Sequence, residues 1–505
     1  MKKYVVFLLL GIGMLGCKKD VVEEPPALSF LQIEAAKNKG KIEYNAEVTI
    51  ENDTVKILVP SMGFDKKFIA TFNAENATVT VNDTIQQSGV TLTDFSKPVT
   101  YKLTSEKGTT KSYTVILKNF TGIPILYLNT TDSITSKEVY VNGSLIINTN
   151  GLYEQTKNNI TLQAKGRGNS TWDIHPKKPY RLKFTEKAAM LGMPTAKNWV
   201  LLANYSDKTL MRTSICFDLG MKLGADFTPQ GRFVELVMNN KYAGSYYLTS
   251  QVEVNENRVN IKELKPSNTS ATDITGGYLL EEDRRLGEPN WFFTKKNLPF
   301  NIKSPDNITP DQLDYIHNYI QETEDVIFSD DFADPDKGYQ KYINTESFIN
   351  WFIVQELMKN EDAKDFSSNY YYKERGGKLG MGPLWDFDLA AGNNNYSDSR
   401  YPTGWWVKEG PWFNRLFEDP NFRAKVKKRW NEVKGNDVYK IAANIDKTAT
   451  YLKYSQTRNF TRWPILDQYV WPNQFVLGSY DKEVAQFKKW LAERTTWMDS
   501  EINKF

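Results

Sequence analysis

The chain has 505 residues, 40% of them apolar and 25% charged, with a formal net charge of +3. That length and balance fit a globular protein of more than one domain and exclude a membrane bundle or a disordered chain. The near-neutral charge excludes the broad basic field of a nucleic-acid binder.

Lys2 and Lys3 precede an apolar run, Val5 to Leu15, too short to span a bilayer, which is the pattern of a signal peptide. The run ends Met14-Leu15-Gly16-Cys17 and resembles the lipobox of bacterial lipoproteins, with Met where Leu is usual. That resemblance implies loss of residues 1–16, lipid on Cys17, and anchoring in the bacterial cell envelope, expected at the outer membrane. Residues 17–27 end in Pro25-Pro26-Ala27 and read as an extended tether.

Residues 28–118 read as a small all-β sandwich. Val55, Ile57 and Val59 alternate, Thr78 to Val81 and Tyr113 to Leu117 are β-branched runs, and Asn82-Asp83 and Lys107-Gly108 supply turns. The stretches Asp94 to Tyr101 and Lys111 to Val115 resemble the immunoglobulin-like modules that follow the tether in Bacteroidetes surface lipoproteins.

A composition shift marks the next boundary, because all 13 tryptophans lie at or beyond Trp172. A second domain is expected over residues 119–505. It holds one cysteine, Cys216, in an apolar helical stretch, which reads as a buried filler. His175 and His317 are the only histidines and lie far apart, so a histidine metal cluster or a histidine-based nucleophile machine is disfavoured and a carboxylate is the available base.

In chain order, Ile160 to Ala164 predicts a strand and Lys165-Gly166-Arg167-Gly168 a glycine turn. In the strand Tyr180 to Phe184, Tyr180, Leu182 and Phe184 share one face while Arg181 and Lys183 share the other. Glycines that let backbone approach, followed by cations, form a plausible phosphate cradle. A strand at Trp199 to Ala203 follows, then a helix with Ser206 as N-cap and Gly224 as its stop. Phe233 to Met238 and Tyr242 to Thr249 predict a hairpin turning at Asn239-Asn240-Lys241, with Glu253 just beyond and a further strand at Gly277 to Leu280.

Ser347 to Lys359 is apolar on more than one face and predicts a buried helix that stops before Asn360 and Asp362. Asn369 to Tyr372, Gly376-Gly377 and Lys378 to Trp385 predict a hairpin that delivers Asp386-Phe387-Asp388. A loop carboxylate followed by a hairpin-borne acidic pair is the order of parts that phosphoryl transfer uses, one group on the acceptor hydroxyl and the others on metal. His-Arg-Asp, Asp-Phe-Gly and Val-Ala-Ile-Lys motifs are absent.

The stretches Arg167 to Trp172, Pro176 to Phe184, Asn198 to Tyr205, Gly276 to Glu281, Lys359 to Asp362, Trp385 to Asp388, Asp419 to Phe422 and Lys428 to Trp430 occur in one order. Together they resemble the CotH-type (spore coat protein H) kinase family. The resemblance implies an α+β chain with an atypical protein-kinase-like two-lobed domain behind the small all-β sandwich. It also implies ATP-dependent phosphorylation of an acceptor that is a protein, a glycan or a small molecule, with Mg²⁺ or Mn²⁺. Asp362 matches the catalytic aspartate and Asp386 and Asp388 the metal-binding pair. Asn369 matches a metal ligand approximately. Gly166, Arg167, Gly168 and either Arg181 or Lys183 are candidates for the nucleotide phosphates, with Glu253 pairing one of those cations. Asp365 competes with Asp362 for the catalytic role.

Two other readings use the same residues. Trp405-Trp406, Trp412 and paired acids suit carbohydrate binding or hydrolysis, and a degenerate kinase fold suits non-catalytic adhesion or scaffolding. Membrane contact is expected through lipid on Cys17, and no nucleic-acid partner is expected.

Overall fold

Alternation of apolar and polar residues sets most of what folds. The structure, a computed structural model, describes residues 24–62 and 65–505, so the signal peptide and Cys17 lie outside the described residues. The chain divides between Phe120 and Thr121 into two compact units, the first all-β and the second mixed α and β.

The first unit has two sheets. One holds Leu28–Ile33, Lys67–Ala74 and Leu92–Asp94. The other runs, in spatial order, through Glu47–Glu51, Thr54–Val59, Thr110–Asn119, Val99–Ser105, Ala77–Val81 and Thr84–Ile85. Val55, Ile57 and Val59 alternate inward to full burial beside Phe68, Tyr101 and Val115. Asn82 and Asp83 both take positive φ, 46° and 59°, the primed-turn geometry that lets a two-residue loop join twisted strands. These features fit the expected immunoglobulin-like sandwich.

The second unit begins with a closed barrel of seven strands. Its order is Ile125–Thr130, Val141–Asn148, Asn159–Gly166, Tyr180–Met190, Met193–Leu202, Lys241–Ser250 and Gly231–Met238. Parallel pairing of the first strand with the last, Ile125 opposite Glu235, closes the ring. Leu126, Leu128, Leu145, Leu162, Leu182, Phe184, Trp199, Leu236 and Leu248 fill the interior, so it is a packed core. Asn239 and Asn240 turn the predicted hairpin with φ of 46° and 61°.

A five-stranded antiparallel sheet follows, in the order Trp291–Phe293, Pro299–Ser304, Tyr278–Glu282, Asn369–Lys373 and Leu379–Met381. The helix Thr345–Met358 packs among this sheet and the later helices, and every residue from Ser347 to Met358 is buried. Each fully buried large apolar side chain contributes about 1.5–3 kcal/mol, which explains an apolar sequence on all faces. The Asn344 side chain caps its start by accepting from Ser347 N–H at 3.3 Å. Its end is fixed by Lys359 in the left-handed region, whose Nζ donates to the carbonyls of Asp398, Tyr401 and Thr403.

Two local expectations fail. The helix after Met193–Leu202 starts at Arg212, and Ser206 does not cap it. Asp207 takes that place: its Oδ2 accepts from Arg212 N–H at 2.8 Å, its Oδ1 from Thr209 N–H at 3.0 Å, and it pairs with the Arg212 guanidinium. The return strand of the Asn369 hairpin ends at Met381, well before Asp386. Pro383 has no N–H to continue a ladder, and Gly382 sits at φ +146° with its N–H given to the Tyr370 carbonyl. Cys216 is fully buried and unpaired, and burial raises its thiol pKa.

Candidate active site

One cleft of about 370 Å³ collects residues from the barrel, the five-stranded sheet and the loops after the buried helix. Gly166, Arg167, Gly168 and Arg181 enter from the barrel, Glu281 and Lys303 from the sheet, and Asp362, Asp386 and Asp388 from the loops.

The glycine turn leaves the barrel where Gly166 pairs with Tyr180. A Cβ at Gly166 would run into the Trp172 ring, and Gly168 stands at φ +86°, so both positions need glycine. Arg167 N–H donates to the Pro179 carbonyl at 3.2 Å. Its guanidinium lies 5.7 Å from the Trp385 ring centroid. Burial lowers its pKa, opposed first by the charge of Asp386. Arg181 is half-buried on the cleft wall, and its Nε has no hydrogen-bond partner among the described residues. Lys183 is exposed, lies 5.7 Å from the Tyr140 ring, and lines a neighbouring cavity instead.

The acidic loops are held from below. Glu361–Lys364 forms a short 3-10 turn directly after the buried helix. Asp362 accepts from Ser367 Oγ at 3.1 Å, and its carboxyl pKa is raised to about 7, first by burial and then by the charge of Asp386. Asp386 takes φ +59°, an uncommon conformation for a residue with a side chain, and accepts from Ser368 Oγ at 3.4 Å. Asp388 has its pKa pushed well up by burial, then by Asp386 and Asp362. Asn360 Nδ2 reaches the Trp385 carbonyl at 3.5 Å and Asn393 Nδ2 the Asp388 carbonyl at 2.6 Å, so two asparagines brace the acidic segment from either side.

Like charges crowded at low exposure are a site short of positive charge. Asp386 and Asp388 are hard oxygen donors of the kind Mg²⁺ and Mn²⁺ take, usually one or two carboxylates completed by phosphate oxygens. No group of three or more His, Cys, Asp or Glu side chains among the described residues is arranged to hold a metal alone. The donor set therefore fits a metal shared with phosphates and does not fit a resident metal caged by protein.

The family model described as CotH kinase protein matches residues 164–498. The chain belongs to the CotH kinase protein family. A second model, described as SGBP, N-terminal, matches residues 36–117. No curated protein matches the chain. Among solved structures, that of a candidate glycoside hydrolase from Bacteroides thetaiotaomicron is 12% identical, covering 59% of this chain and 88% of its own, with a TM-score of 0.16 that carries no argument.

Within this CotH-family chain the structure departs from four expectations. Asn369 does not reach the cleft. It begins a strand buried on both faces, donates from Nδ2 to the Ala363 carbonyl at 3.3 Å, and so braces the Asp362 loop from inside. Glu253 pairs with neither Arg181 nor Lys183. Its carboxylate is taken by Arg258 at 3.1 Å and Asn198 at 2.7 Å, because the tight turn Asn255–Arg258 folds Arg258 back onto it. Trp405, Trp406 and Trp412 are no sugar platform. Trp405 stacks on Phe505, Trp406 Nε1 donates to the Glu361 carbonyl, and buried Trp412 donates to Glu324. Asp365 is held by Arg284 at 3.3 Å and does not line the cleft.

The sequence reading missed the pair Glu281–Lys303, 3.1 Å apart on the cleft wall. Lys303 also pairs Glu288, and those two carboxylates raise its pKa against its burial. Glu281 lies opposite Asn301 in adjacent strands, and Lys303, two residues on, lines the same cleft; that register belongs to the assembled sheet and not to either strand alone.

Proposed function

We propose that this protein is an ATP-dependent phosphotransferase with an atypical, protein-kinase-like two-lobed catalytic domain, transferring the γ-phosphoryl group to an acceptor hydroxyl. The observation that carries this reading is the convergence of Asp362, Asp386, Asp388, Arg167 and Arg181 on one cleft. The family match supports the same activity.

In this reading Arg181 and the backbone of Gly166 to Gly168 meet the phosphates, and half-buried Arg167 steadies Asp386. Asp386 and Asp388 would hold Mg²⁺ or Mn²⁺, which supplies the counter-charge for the phosphate oxygens. Asp362 orients the acceptor hydroxyl and accepts its proton. A carboxyl with a pKa of about 7 is suited to that task near neutral pH. Lys303, fixed by Glu281, faces the same space and balances charge there. The match to the SGBP N-terminal model and the lipobox-like Cys17 support placement in the cell envelope through a lipid anchor. No helix among the described residues is long and apolar enough to cross a membrane.

The test is a pair of assays, metal-dependent ATP binding and phosphate transfer, on Asp362→Ala, Asp365→Ala, Asp386→Ala and Asp388→Ala. Losing Asp386 or Asp388 should weaken ATP binding with metal. Losing Asp362 should leave ATP binding and reduce transfer at least a hundredfold, and Asp365→Ala should retain both. Failure of the wild type to bind ATP with any divalent metal would overturn the reading.

A further inference from the structure

The tryptophan that stands open at the cleft is one the sequence does not single out. Trp471 lines the cleft and is 41% exposed, and Tyr396 beside it is 50% exposed. Their rings are parallel within 7°, with centroids 6.0 Å apart. Parallel, half-exposed rings at the rim of a polar cleft are costly to leave to water, and they present flat π faces to a ligand.

The pair is held rigidly. Asn473, two residues after Trp471, donates from Nδ2 to the Ser206 carbonyl at 2.6 Å and to Asn393 Oδ1 at 3.0 Å. The Tyr396 loop is pinned by Asn394 Nδ2 on Ser399 Oγ at 2.6 Å and by Asn395 Nδ2 on the Tyr469 hydroxyl at 2.9 Å. The platform also belongs to the acidic side of the cleft. After burial, the charges of Glu361, Asp362 and Asp388 are what raise the Tyr396 phenol pKa, so its ring stands within their field.

We propose that Tyr396 and Trp471 form the acceptor platform of this cleft and that the acceptor is a neutral carbohydrate, one ring face stacked on the aromatic pair and one hydroxyl directed to Asp362. The proposal rests on the phosphotransfer reading above. An anionic acceptor would meet the charges of Asp362, Asp388 and Glu361, with Arg285 as the opposing charge. A cationic peptide would find the Glu361 carboxylate turned toward the Ser397 and Ser399 hydroxyls and not presented to the rim. A sugar presents apolar C–H groups to the rings, and polar neighbours such as half-buried Asn395 and exposed Tyr469 suit its hydroxyls. In the transfer, the acceptor O–H bond breaks and its proton goes to the Asp362 carboxylate. The freed oxygen bonds the γ-phosphorus, and the bond from that phosphorus to the β,γ-bridging oxygen breaks to release ADP.

The experiment uses saturation-transfer NMR on the soluble 18–505 protein with maltoheptaose, cellohexaose, xylohexaose and chitohexaose, beside a basic serine-containing peptide. ATP–metal affinity is measured in parallel by calorimetry. The expected result is binding of at least one oligosaccharide, weakened tenfold or more in Trp471→Ala and Tyr396→Ala, retained in Trp471→Phe, with ATP–metal affinity within twofold of wild type. Binding of none of the four sugars, sugar binding indifferent to both alanine variants, or peptide binding that depends on Trp471 overturns the proposal. A tenfold loss of ATP affinity in Trp471→Ala reassigns the ring to the nucleotide base and also overturns it. Sugar binding is read without nucleotide, so a wild type that binds sugar and not ATP sinks the kinase reading separately from the platform.

Discussion

Glu356 and Arg494 form an ion pair at 2.5 Å in which both side chains have no solvent exposure. It joins the C-terminal helix Tyr480–Ile502 to the last turns of the helix that leads into the Asp362 loop. Glu356 also accepts the backbone N–H groups of Trp406 at 2.9 Å and Lys408 at 2.8 Å, and Trp406 in turn holds the Glu361 carbonyl. Replacing Arg494 with Met leaves a buried carboxylate without its partner and should cost about 3–5 kcal/mol of unfolding free energy in urea. Adding Glu356→Leu should recover only part of that, because two backbone donors are then orphaned. Full recovery by the double variant would show that the pair does not anchor the loop.

Asp362 has a folded-state pKa of about 7 against an ordinary value of 3.8, so the folded protein keeps a proton that the unfolded chain has lost. Its contribution to stability therefore falls as pH rises from about 4 to about 7. In metal-free protein, Asp362→Asn should raise stability by about 1–3 kcal/mol at pH 8 and leave it unchanged near pH 4. Thermal melts across that range read it. A gain that persists at pH 4 would point to packing and not to the charge.

Arg181 and Lys183 lie two residues apart on one face of a strand, yet only Arg181 lines the main cleft. Arg181→Ala should weaken ATP–metal binding tenfold or more, and Lys183→Ala by less than twofold. Equal losses by calorimetry would place the phosphates across both cavities.

The lipid anchor is testable apart from the fold. Cys17→Ser should move the protein from the membrane to the soluble fraction, since attachment gains about 0.8 kcal/mol for each buried methylene of the added chains. Unchanged partitioning would end the lipoprotein reading.

Regular periods in the sequence translate faithfully into structure. Tyr180, Leu182 and Phe184 alternate inward as read, and the apolar run from Ser347 forms the buried helix. What the sequence hides is pairing made by turns and irregular backbone. Glu253 finds Arg258 through a tight turn, and Lys303 finds Glu281 across a strand register that no single strand encodes. Asp386 owes its place to a positive-φ backbone with no periodic signal, and Trp471 sits in an irregular segment for the same reason. Asn369 stands in the strand the sequence predicts, and its expected place at the metal rests on an approximate match to the family's motif, which does not encode that this strand is buried on both faces.

The barrel's closure bears on how the chain acquires its site over time. Ile125 finds its partner at Glu235, more than a hundred residues later, so the ring cannot shut until the hairpin at Asn239-Asn240 has been made. Loop-closure entropy must be met before those contacts return anything, which makes this a slow, late step of folding. Arg181 is carried on a strand of that ring, and Arg167 on the turn that directly follows another. The nucleotide pocket is thus a product of the finished barrel, and a chain caught partway, with its first strand unpaired, has edges to aggregate through and nothing with which to bind phosphate.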